Sequence, residues 1–177
     1  MRNAEATKNK LLDAMRACII EQGYSECTVK KVAELAGVNH GLVHHYFGSK
    51  ERLVIEMLEK EAEVLRKGLY NNLHPAEFQS FFQQEMVANK DRVQLISECL
   101  VLSRKIPELG LLIKGIFQER RKDFGRVFNL KNANQKKLVF AALFGLAVQG
   151  LVDDDLDLPP VLKELLGLLN EFNTTAD

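Results

Sequence analysis

The chain has 177 residues, 46% of them hydrophobic, enough to bury a core in one or two small domains. Its 24 lysines and arginines balance 24 aspartates and glutamates, so the formal net charge is zero. That balance argues against a generic nucleic-acid coat, but not against a sequence reader whose positive charge is local.

Apolar residues recur at helical spacing along the whole chain, and no stretch sustains the alternation of a strand. Leu11, Met15, Cys18, Ile19 and Gln22 form one stripe of a first helix, stopped by Gly23. Thr28 is placed to cap a second helix with Val29, Val32, Ala33 and Ala36 inward and Gly37 as its stop. Asn39 is placed to cap a third, ending near Phe47, and Ser49 a fourth, running through Leu53, Val54, Met57, Leu58, Ala62, Leu65 and Leu69 to about Leu73. His74-Pro75 breaks that helix, and five more follow near residues 75–89, 91–105, 107–128, 134–152 and 160–172. Pro107 suits a first helical turn, and Pro159-Pro160 marks the last junction. The expectation is an all-α fold of about nine helices.

The helix-turn-helix pattern at residues 28–47 is the most informative stretch. Val43 and Phe47, four apart, face a core with Val38 and Val32, which leaves His40, Gly41, His44 and His45 on the opposite side and Leu42 and Tyr46 on a flank. Gly41 removes bulk where a helix approaches DNA closely, and histidine can donate to base acceptors or phosphate. Leu42 can touch a thymine methyl, and Tyr46 can offer its hydroxyl to phosphate. Helix N-termini at Thr28 and at Ser49-Lys50 offer phosphate clamps. The expected DNA-binding set is Thr28, Lys30, Asn39, His40, Gly41, Leu42, His44, His45, Tyr46 and Lys50. Residues 1–54 carry eight Lys/Arg against six Asp/Glu, a surplus of two, which agrees with local positive charge.

The run AGVNHGLVHHYFGSKERL, preceded by EQGYSECT, resembles the N-terminal domain of TetR-type transcriptional regulators. Matching features are Gly23-Tyr24, Thr28, Ala36-Gly37-Val38, Gly41, Val43, Tyr46-Phe47, Lys50 and Leu53, and the resemblance covers about residues 5–65. Beyond it, only helical layout, length and the segment FGLAVQGLVDDDLD agree. The resemblance implies an N-terminal helix-turn-helix domain over residues 5–65, joined by a long helix to a ligand-binding and dimerisation domain over residues 66–177. It further implies a homodimer that binds a double-stranded DNA operator, usually as a repressor, and releases it when a small molecule occupies the C-terminal domain. In this family position 40 is often lysine, position 44 often tyrosine and position 42 often a small hydroxyl residue. Here they are His40, His44 and Leu42, so phosphate attraction is expected to be weaker and the operator sequence cannot be borrowed. With histidine's ordinary pKa near 6.5, a phosphate contact through His40 or His44 would strengthen operator binding as the pH falls from about 8 to 6.

Residues 138–152 are apolar on nearly every face, and Val161, Leu162, Leu165, Leu166, Leu168, Leu169 and Phe172 form a second wide arc. Two such helices from each of two chains make a four-helix interface, with Leu143, Leu146, Ala147, Gly150, Leu151, Leu162, Leu165, Leu166 and Leu169 as its expected members. Phe78, Phe81, Phe82, Met86, Cys99, Leu102 and Phe117 are the candidates for an apolar ligand cavity.

Other chemistry is not supported. His40 and His44 have the i, i+4 spacing of a metal pair, but no local cysteine or carboxylate completes a site. Asp153, Asp155, Asp157 and Glu164 fit part of a calcium-loop pattern, yet Leu158 stands where the loop needs glycine. There is no phosphate-cradling glycine loop, no GxSxG and no HExxH, so neither a cofactor nor an enzyme is expected. Cys18, Cys27 and Cys99 form no CxxC pair, and Cys18 on its apolar stripe reads as a buried thiol in a reducing cytosol. MRNAEATKNKLL is too polar for a signal peptide, and the run at 138–152 is shorter than the roughly 20 residues of a membrane span. A soluble, cytoplasmic protein is expected. The rival to the regulator reading is a ligand-binding or protein-interaction module that keeps the fold without binding DNA.

Overall fold

The computed structural model describes residues 2–70, 75–153 and 155–174. Among them nine α-helices occur and no strand. In order they are α1 (Arg2–Gln22), α2 (Val29–Leu35), α3 (Gly41–Phe47), α4 (Lys50–Tyr70), α5 (Pro75–Phe82), α6 (Lys90–Leu102), α7 (Pro107–Val127), α8 (Ala133–Gln149) and α9 (Leu158–Thr174). The all-α expectation holds, and the elements start close to where their caps predicted. Residues 71–74, with the expected end of the long helix near Leu73, lie outside the described residues, as does the side chain of Phe172.

The chain divides into two compact units. The first comprises Met1–Lys67 with Gln94–Lys114, the second Gly68–Val93 with Gly115–Asp177. The division therefore falls inside α4, α6 and α7.

In the first unit, the stripe Leu11, Met15, Cys18 and Ile19 of α1 is wholly buried with Val32 and Ala33 of α2, Val43 of α3, and Leu53, Val54 and Met57 of α4. Burial at positions i, i+4, i+7 and i+8 is what sets the orientation of each helix about its axis. Gln94 donates from Nε2 to the Ile20 carbonyl at 2.8 Å, and Arg52 pairs with Glu108 at 2.6 Å, so residues 94–114 are tied into this unit.

Three local devices fix the turns. Thr28 Oγ1 accepts from the Lys31 amide at 3.2 Å and caps α2. At its other end Gly37 takes φ +65°, its N–H bonds to Glu34 O, and Val38 N–H reaches back to Ala33 O, both at 3.0 Å. That double closure needs a left-handed residue, which is why the tight turn of the helix-turn-helix carries glycine. The same closure ends α7 with Asn129 at φ 51°. Asn132 then opens α8 with a capping box completed by Gln135.

In the second unit seven phenylalanine rings form one connected cluster. Phe78 of α5 stacks on Phe82 at 5.8 Å and meets Phe124 of α7 and Phe128, just past the end of α7, edge-on at 5.7 and 4.9 Å. Phe117 and Phe124 of α7 reach Phe140 of α8 at 4.9 and 6.2 Å, and Phe144 lies beside Phe117 and Phe140. Arg120 and Asp123 are buried in this unit as an ion pair 3.4 Å apart, with Arg126 on the other carboxylate oxygen at 3.3 Å.

Two departures from the sequence reading stand out. The helix expected over 75–89 is α-helical only to Phe82, and Gln83–Val87 widens into a π-helical turn, with Ala88 N–H bonded to Gln83 O. The second departure corrects the reading of Cys18 as a free thiol. A short 3-10 turn, Tyr24–Glu26, folds the chain back on α1 and brings Cys27 to Cys18, Cα atoms 5.8 Å apart, and the two are joined in a disulfide. Cys99 remains a free thiol, and burial pushes it up to about 12.

Candidate nucleic-acid interface

Helix α3 is seven residues long and held by Val43 and Phe47, both buried. Their spacing turns His40, Gly41, His44 and His45 outward, and all four are exposed, while Leu42 and Tyr46 lie half-buried on the flank. This is the arrangement the sequence predicted for these six positions. His45 and Tyr46 pack edge to face at 4.9 Å, which orders the outer surface of the last turn.

Several expected contact residues have a structural task as well. The N-cap of α3 is His40, and Asn39, one residue earlier than the cap position expected of it, accepts the Gly41 amide through Oδ1 at 2.8 Å and so steadies the entry to the helix. A Cβ at position 41 would meet that same oxygen at 3.1 Å, so Gly41 makes room for this bond as well as for a partner surface. Thr28 uses its oxygen as an acceptor for the Lys31 amide, and its O–H is left to donate. Lys30 is exposed, with Glu34 one turn away at 3.9 Å, a pair worth little in water. His44 Nδ1 lies 3.2 Å from the Gly48 carbonyl.

Lys50 behaves differently from the outward phosphate clamp expected of it. Its ammonium donates to the Tyr24 carbonyl at 2.8 Å and sits 3.8 Å over the Tyr24 ring. Desolvation holds the Lys50 pKa below the usual lysine value, against the opposing pull of Glu51 and Glu26. The Tyr24 phenol is pushed up to about 12, first by burial and then by Glu51. Sequence reasoning missed this pair because its members are 26 residues apart and neither belongs to a periodic stripe.

The expected apolar ligand set does not fall together. Phe78 and Phe82 are buried in the second unit with Phe81, Met86 and Phe117 half-buried there, whereas Cys99 and Leu102 belong to the first unit. Phe140 and Phe144, absent from that set, join the ring cluster, and their i, i+4 spacing opposite Phe117 and Phe124 was the available signal. A surface depression of about 490 Å³ in the second unit is lined by Gln84, Glu85, Ala88, Asn89, Lys90 and Asp91, a polar set.

The expected interface residues of α8 and α9 also divide. Leu143, Ala147, Gly150, Leu162 and Leu169 are buried within the unit, and Leu146, Leu151, Leu165 and Leu166 are half-buried. The exposed apolar stripe of α8 is instead Leu138, Ala141 and Val148, with Gly145 between them, and that of α9 is Val161 and Leu168 beside Leu165. Leu138 is 62% exposed and Leu168 51%.

Residues 11–57 match the family model described as bacterial regulatory proteins, tetR family. Over that segment the chain is similar to the DNA-binding domain of tetR-family regulators. The matched segment runs from the buried stripe of α1 through both helices of the helix-turn-helix into α4. Similar proteins include the HTH-type transcriptional repressor AcnR of Corynebacterium efficiens, 29% identical over 66 residues, 37% of this chain and 35% of AcnR. The HTH-type transcriptional regulator BetI of Rhizobium meliloti is 41% identical over 59 residues, 33% of this chain and 29% of BetI. These alignments span only about a third of either relative's length. A transcriptional regulator from Rhodococcus superposes with a TM-score of 0.76 at 21% identity, covering 92% of each chain, a likeness of fold. No described helix is long and apolar enough to cross a membrane.

Proposed function

We propose that this chain is a TetR-type, cytoplasmic, sequence-specific transcriptional regulator that binds a double-stranded DNA operator as a homodimer. The observation that carries the reading is the exposed face of α3, His40, Gly41, His44 and His45, presented by a buried Val43–Phe47 anchor inside a segment that matches the family model. Such a helix fits the major groove and reads base edges, while Thr28, Lys30 and Tyr46 hold phosphate from the flanks. Repression rather than activation is the favoured direction, because AcnR is described as a repressor.

A second copy is the natural cover for the stripe Leu138, Ala141, Gly145 and Val148 with Val161, Leu165 and Leu168. Its members recur every three or four residues on both helices, and its small residues allow close helix approach. Two-fold pairing would present two recognition helices to half-sites roughly 34 Å apart. The effector is a small, largely apolar molecule acting through the second unit, a reading supported by the ring cluster whose members Phe78, Phe82, Phe124 and Phe128 are buried there. A coupling of about 1–3 kcal/mol would change operator affinity about 5–150-fold, enough to switch a promoter.

The test is selection of bound duplexes from a random pool. A two-fold symmetric motif and a steep loss of affinity with salt are expected. Absence of duplex binding at low salt for every selected sequence would leave a ligand-binding or interaction module that keeps the fold.

A further inference from the structure

We propose that His44 reads an amino-bearing base, adenine or cytosine, on the DNA strand it faces, through the lone pair of Nε2. The proposal rests on the operator-binding reading and deepens it by naming the base class that one residue selects. Its ground is the contact between His44 Nδ1 and the Gly48 carbonyl oxygen, 3.2 Å apart. A carbonyl oxygen has only lone pairs to offer, so Nδ1 must carry the hydrogen. A neutral imidazole has a single N–H, and Nε2 is therefore left as an acceptor.

The lock is doubled by the backbone. The Gly48 N–H bonds to the His44 carbonyl at 3.0 Å, and Gly48 closes α3 at φ +76°, a conformation that favours glycine. The same residue thus receives the ring and ends the helix, which holds His44 on the exposed face one turn beyond Gly41. In the major groove adenine N6 and cytosine N4 are donors, whereas guanine N7 and O6 and thymine O4 are acceptors. An acceptor-only Nε2 matches the first pair and opposes the second, lone pair against lone pair. A tyrosine, which the family resemblance would place here, can donate or accept, so histidine sharpens the choice.

The experiment uses the full chain at pH 8, with wild type, His44→Ala and His44→Gln each selecting from a random duplex pool. In the wild-type motif one column per half-site is expected to be confined to adenine or cytosine. His44→Ala flattens that column and leaves the others, and His44→Gln narrows it to adenine, because an amide pairs with N6 and N7 together. The chosen base in a selected duplex is then replaced by its analogue lacking the exocyclic amino group, purine for adenine or 2-pyrimidinone for cytosine. Wild-type affinity should fall about three- to tenfold and His44→Ala affinity should not change. The proposal is overturned if wild type and His44→Ala select the same motif, or if the analogue weakens both alike. If wild type selects no motif at all, the operator-binding reading falls and takes this proposal with it.

Discussion

Breaking the Cys18–Cys27 bond should cost the fold about 2.7 kcal/mol. The two cysteines are separated by nine residues and so close a ring of about ten. In the chain-entropy account a ring of that size removes about 9 cal/mol/K from the unfolded ensemble, which is about 2.7 kcal/mol at 25 °C. Little of this is offset on the native side. Both sulfurs are fully buried, and the Gly23 carbonyl lies 3.2 Å from the Cys27 sulfur, so a reduced thiol has an acceptor ready to receive it. For a chain of this length the loss corresponds to a fall in Tm of roughly 5–11 °C. Calorimetry of the oxidised and the reduced chain measures it, with alkylation of the denatured protein counting thiols. One reactive thiol, Cys99, is expected before reduction and all three cysteines after. Cys27→Ala should melt at the same temperature with or without reductant. Equal melting temperatures for wild-type samples that carry one and three thiols would refute the reasoning.

Leu168→Glu, on the exposed stripe of α9, should give a monomer on size-exclusion chromatography with its helical content unchanged, whereas Leu143→Glu buries an unpaired carboxylate and should unfold the second unit. The Tyr24 phenol, pushed up to about 12 in the folded chain, keeps its proton where the unfolded chain begins to lose it near pH 10. Its contribution is therefore complete below pH 10 and lost as the pH rises toward 12, on the order of 1 kcal/mol for a half-exposed ring. In urea titrations, wild type should lose stability relative to Tyr24→Phe on going from pH 9 to 11.5. Gly37→Ala forces a side chain into φ +65° and should cost about 1–2 kcal/mol in the same assay, although no atom lies within 4 Å of the added Cβ.

What was legible in the sequence was what is decided locally. Thr28, Asn39 and Ser49 signal helix starts because their oxygens reach amides two or three residues on, and all three make those bonds. The buried stripe of α1 and the Val43–Phe47 anchor follow from helical period alone. Long-range partners were not legible. The seat of Lys50 on Tyr24 spans 26 residues, and the approach of Cys27 to Cys18 depends on a 3-10 turn that no residue of Tyr24–Glu26 announces. For α8 the limit is different: LVFAALFGLAVQGLV is apolar all round, so its period cannot choose which side faces the core. The structure makes that choice with Val139, Leu143 and Ala147.

Because Gln94–Lys114 packs with Met1–Lys67, the unit that carries the helix-turn-helix is not contiguous in the gene. A chimera made by a single crossover after α4 would leave Leu95, Leu109 and Ile113 behind, three residues buried in the first unit's core. Recombination that exchanges the second unit whole must therefore use three junctions, one after Lys67 and one on either side of residues 94–114. Drift by substitution, which leaves that inserted segment in place, is the easier route to a changed second unit.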